Sequence, residues 1–67
     1  MPKTDKEQLI ALREDVRIAA NPNLISSFRE SARLRLYRQG FKSDSQDYLI
    51  GLIEGLNVAI HLIVAKE

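Results

Sequence analysis

The stretch DYLIGLIEGLNVAIHLIVA, residues 47–65, carries more apolar surface than the rest of so short a chain can cover. At about 100° per residue, Asp47, Glu54, Asn57 and His61 fall on one narrow stripe of a helix. Leu49, Leu52, Leu56, Ala59, Ile60 and Ile63 spread over the opposite side, and Ile53, Val58, Leu62 and Val64 fill the flanks. A folded monomer of 67 residues is small enough that its core is thin, burying only about 60% of the surface of its unfolded form. Domains of this size gain the missing stability from disulfides, a structural metal or association. There is no cysteine and one histidine, which removes disulfides, thiolate zinc sites and thiol catalysis together. No cofactor or metal is expected, and association is the remaining stabiliser. The absence of cysteine also fits a reducing, cytoplasmic setting.

Residues 1–67 read as one small all-α domain of three helices with a short tail at 1–3. Thr4 and Glu7 form a capping box, and Leu9, Leu12, Val16 and Ala19 recur at helical spacing, which predicts a helix over 5–20. Pro22 disfavours helical geometry at Asn21 and suits a first helical position, so a second helix is expected over 22–39 with Asn21 as its cap. Its inner face would be Ile25, Phe28, Ala32 and Leu36. Gly40 supplies a left-handed residue to end it, with Phe41 folding back. Ser43 and Gln46 form a further capping box, with Asp44 and Asp47 at the positive end of the helix dipole, opening a third helix over 44–65. The expected architecture is a helical hairpin or small bundle completed by homo-oligomerisation.

Gly51, Gly55 and Ala59 lie four apart on one row, and small residues at that spacing let two helix backbones approach closely. Each glycine inside a helix otherwise costs up to about 1 kcal/mol. The expected oligomer interface is Leu49, Gly51, Leu52, Ile53, Gly55, Leu56, Ala59, Ile60 and Ile63, with a homodimer or higher homo-oligomer as the outcome. A membrane span draws on the same glycine row and an apolar length of about 18 residues, near the lower limit. Against it, Glu54 near the middle costs about 3 kcal/mol on insertion scales, and the flanks lack a basic cluster or aromatic belt. The amino end, MPKTDKEQ, lacks the pattern of a secretion signal.

The second helix carries Arg29, Arg33, Arg35 and Arg38 against Glu30, a balance near +3, while Asp44, Asp47 and Glu54 give the third about −3. The arginines are therefore expected to face the acids of the third helix or of a partner chain. Together with Arg13, Arg17 and Tyr37 they could instead track phosphate, the nucleic-acid alternative. The formal net charge of +1 gives no global pull toward nucleic acid or membrane. Catalysis finds little support: Glu54 and His61 share a face but sit about 10 Å apart along the axis, and no phosphate loop, metal cluster or nucleophile elbow is present.

Capped helices, no cysteine, an arginine-bearing middle helix and a glycine-spaced apolar end give a chain whose architecture resembles the very short helical proteins of bacteriophages and mobile elements. That resemblance implies a non-enzymatic binder, either a virion or assembly component or an inhibitor of a host protein, working in the cytoplasm of a bacterial host. The expected function is an interaction module that self-associates through its third helix and binds another protein through an exposed face formed by helix two with Arg13 and Arg17.

Overall fold

The structure is a computed structural model that describes residues 4–42 and 45–66. It is all-α, with helices α1 (Asp5–Ala20), α2 (Ser26–Arg38) and α3 (Gln46–Lys66) in that order. The tail at 1–3 lies outside the described residues, as do Ser43 and Asp44.

α1 begins as its sequence dictates. Thr4 Oγ1 accepts from the Glu7 amide at 3.2 Å, which satisfies one orphan donor of the first turn, and the Thr4 carbonyl accepts the first regular helical bond from the Gln8 amide at 3.0 Å. Its inward stripe is Val16, Ala19 and Ala20, all buried, with Leu9 and Leu12 packed alongside.

α2 starts four residues later than expected, and Asn21 is not its cap. Asn21 Oδ1 accepts from the Asn23 amide at 3.0 Å, while its carbonyl accepts from the Leu24 amide at 3.3 Å. Asn21 thus closes a tight turn with Pro22 at the corner, a use of both residues that competes with helix capping. The chain then passes through Ile25, extended at φ −59° and ψ 140°, which caps α2 without a side-chain hydrogen bond. The other end follows expectation. Gly40 has φ 100°, and the amides of Gly40 and Phe41 donate to the carbonyls of Tyr37 and Leu36, each at 3.0 Å. That is the Schellman pattern, and Phe41 packs back on the core.

The expected Ser43–Gln46 box falls partly outside the described residues, and Ser45 does the capping there. Its Oγ accepts from the Tyr48 amide at 3.2 Å, and its carbonyl accepts from the Leu49 amide at 3.0 Å. Gln46 is freed for a tertiary role: its Nε2 donates to the Ala20 carbonyl at 2.8 Å, fastening the start of α3 to the end of α1.

α1 is the middle element, packed against α2 on one flank and α3 on the other, while α2 and α3 approach each other only through side chains among the described residues, with Leu36 and Leu49 in one core cluster and on one hollow. The core is Val16, Ala19, Ala20, Ala32, Leu36, Leu49 and Leu56, extended along α3 by buried Ile60. Ala19, Ala20 and Ala32 are members of that core, small side chains that permit close helix packing. The arrangement is open. Its radius of gyration is 12.3 Å, against roughly 11 Å for a compact chain of this length. Its accessible surface is 4932 Å², where roughly 4,300 Å² is usual for this mass.

Ile25 and Phe28, expected inside, are 67% and 59% exposed. α2 runs antiparallel to α1, with Arg35 paired to Asp15 and Gln39 beside Gln8 and Leu12, and at that register Phe28 lies level with the turn beyond Ala20, where α1 has already ended. The expected inner face is buried only at Ala32 and Leu36.

Two stability outcomes follow from this packing. Leu49→Ala, at a site 1% exposed, should lower stability by about 2–5 kcal/mol in denaturant titrations. Ile25→Asp should supply the missing cap and raise stability by about 1 kcal/mol, seen as a rise of roughly 4–8 °C in Tm.

Candidate functional site: the outer face of helix three and the arginine set

α3 presents two different sides. Leu49, Leu56 and Ile60 are buried in the chain's own core, with Leu52 and Ile53 packed against it and Ala59 and Ile63 half-buried. Most of the side chains expected at an oligomer interface are therefore used within the chain. Gly51 and Gly55 are exposed, and they share the outward side with Tyr48, Val58, Leu62 and Ala65. A Cβ added at either glycine would meet nothing within 4 Å, so no close contact inside the chain requires a glycine there.

The polar stripe on α3 divides by role. Asn57 Oδ1 accepts from Arg13 Nη1 at 2.8 Å, a charge-assisted bond that ties α3 to α1. Glu54 and His61 are exposed beside the outward apolar side. By length and composition α3 could also cross a membrane, with a mean hydropathy of 1.8 in its most apolar window.

The arginines do not form one continuous face. Arg13 turns toward α3, and Arg17 sits 4.0 Å from Glu14 on its own helix. Arg35, on the opposite flank of α1, makes a 2.9 Å ion pair with Asp15. The acid opposite Arg35 thus comes from α1, not from α3 as the charge balance suggested. Arg29 reaches Ser26 Oγ at 3.3 Å. The Nε atoms of Arg13, Arg29 and Arg33 are buried without a hydrogen-bond partner among the described residues, so the stems of these arginines cover apolar surface as well as carry charge.

At the far end of α2, Arg33, Leu34, Tyr37, Phe41 and Lys42, with Leu49 of α3, surround an open hollow of about 330 Å³, with Lys42 Nζ 5.8 Å from the centre of the Tyr37 ring. A second, apolar hollow of about 340 Å³ lies between Ile18, Leu24 and Phe28. Sequence reasoning missed it because it assigned Phe28 to the core. The end of α1 at Ala20, before the Asn-Pro-Asn turn, is the signal that could have exposed it.

No protein-family model matches the sequence, and neither a curated protein nor a solved structure matches it.

The open space at the glycines makes their cost measurable. At concentrations where the chain is monomeric, Gly55→Ala should raise stability by about 0.5–1 kcal/mol, the difference in helix propensity, as read by urea unfolding followed by circular dichroism.

Proposed function

We propose that this protein is a non-enzymatic interaction module that self-associates through α3 and acts by occupying a surface of another protein. The observation that carries the reading is the outward side of α3. Val58 and Leu62 stand 60% and 56% exposed around two glycines that no intrachain contact demands. Association would cover this apolar surface and give the glycine positions a packing reason. The surface offered to the partner is α2, where Phe28 and Tyr37 are 59% and 56% exposed beside the two hollows. Aromatic anchors next to arginine are the composition that interface centres favour. A virion or assembly component, or an inhibitor of a host protein, acting in the cytoplasm, fits such a role.

Two competing occupants are less well supported. For nucleic acid, Arg13, Arg17 and Arg35 are engaged with Asn57, Glu14 and Asp15 and do not line one track. For a membrane, insertion of α3 would strip away α1, break the Arg13–Asn57 bond and carry Glu54 into hydrocarbon at about 3 kcal/mol on insertion scales.

Light scattering over a concentration series at low and high salt tests the reading. A mass rising toward that of a dimer, with little response to salt, is expected, because apolar packing is not screened. A monomer throughout would overturn self-association. Co-sedimentation with neutral lipid vesicles would transfer α3 to the membrane, and oligonucleotide binding that weakens steeply with salt would transfer the arginines to nucleic acid.

A further inference from the structure

Resting on the self-association reading, we propose that the occupant of the outer side of α3 is a second copy of this chain, paired in antiparallel register. Tyr48, Gly51, Gly55, Val58, Leu62 and Ala65 recur at alternating spacings of three and four, the heptad pattern of a coiled-coil seam, and all are exposed. A second row with the same alternation, Leu49, Ile53, Leu56, Ile60 and Ile63, faces the chain's own α1, with Leu49, Leu56 and Ile60 buried. α3 therefore carries two seams on nearly opposite sides, one filled by α1 and one open.

The side-chain sizes along the open seam select its direction. In a parallel pair each residue meets its own copy. The glycine layers would then leave voids while Tyr48 against Tyr48 and Leu62 against Leu62 hold the helices apart. In an antiparallel pair the two kinds of seam position meet each other. Tyr48 then lies opposite Ala65 of the second copy, Gly51 opposite Leu62, and Gly55 opposite Val58. A large side chain faces a small one in every layer, so the helices keep an even separation along their length.

The borders agree with this register. Antiparallel pairing sets Glu54 beside His61 of the second copy, twice by symmetry, placing a carboxylate next to an imidazole N–H. On the other border Leu52 meets Ala59. Asn57 stays outside the seam, consistent with its bond to Arg13. Covering six seam residues and their borders on each chain removes roughly 1,000 Å² in all, at the lower end for a specific interface. A modest, concentration-dependent dimer is the consequence.

The chain has no cysteine, so introduced thiols report the register directly. Leu62→Cys mixed with Gly51→Cys should give a mixed disulfide under mild oxidation. Leu62→Cys alone should not, because its two thiols lie about 17 Å apart along the pair, far beyond disulfide reach. Gly55→Leu should weaken dimerisation at least tenfold by light scattering. Its helical circular dichroism should be retained, since nothing lies within 4 Å of a Cβ at that position. Efficient crosslinking of Leu62→Cys alone would overturn the antiparallel register and leave self-association standing. Dimerisation of Gly55→Leu as tight as wild type would overturn the seam. A monomeric wild-type chain would remove the underlying reading itself.

Discussion

The wedging of α1 between α2 and α3 carries the helix-to-helix packing of the described chain. Val16, fully buried, and Ala19, nearly so, belong to a core cluster that draws on all three helices, and the small side chains in it permit close packing. Polar fastenings follow the same plan. Gln46 reaches the last turn of α1, Asn57 takes a bond from its middle, and Asp15 holds Arg35 from the other flank. Each outer helix is thus secured to the middle one by apolar burial and by at least one directional bond. Burial supplies most of the energy, since an ion pair as exposed as Arg35–Asp15 is worth at most about 1 kcal/mol.

Much of this was legible in the residues, where local chemistry admits one solution. Thr4 and the periodic apolar positions after it fix α1, and Gly40 followed by Phe41 fixes the end of α2. The Asn-Pro-Asn segment was not legible, because Asn21 and Pro22 satisfy the geometry of a helix start and of a tight turn equally well. Only the path of the chain beyond Leu24 decides between them. Ile25 and Phe28 were misplaced for a related reason. An apolar stripe shows which side of a helix is greasy, but not how far the neighbouring helix runs, and α1 stops short of them. The arginine partners were hidden because charge balance between segments carries no information about which flank of α1 each segment occupies.

The awkward composition of α3 resolves into separate demands on one helix. One side must fill the core beneath α1, Asn57 must answer Arg13, and the remainder faces outward with glycines where its own chain exerts no pressure. A uniformly apolar helix is easily read as one surface. Here the rows of heptad spacing divide it, and the polar positions mark one of the boundaries. The function proposed for the molecule is tied to that division, since a helix fully enclosed by its own chain would have nothing to offer a partner.

Because the backbone of α2 lies close to that of α1 alone, its detachment would leave the α1–α3 pair standing, with Leu49 uncovered on the side it shares with Leu36. Openings of the molecule then come in two sizes: a small one that releases the backbone amides of α2 to solvent exchange, and a global one needed to expose those of α1 and α3. The uncapped start of α2 at Ile25 lowers the threshold for the smaller event. A protein gripping Phe28 or Tyr37 would meet a segment that can be reshaped at little expense, while the α1–α3 pair keeps its shape. Adaptability is thereby assigned to one flank of a three-helix chain and rigidity to the other.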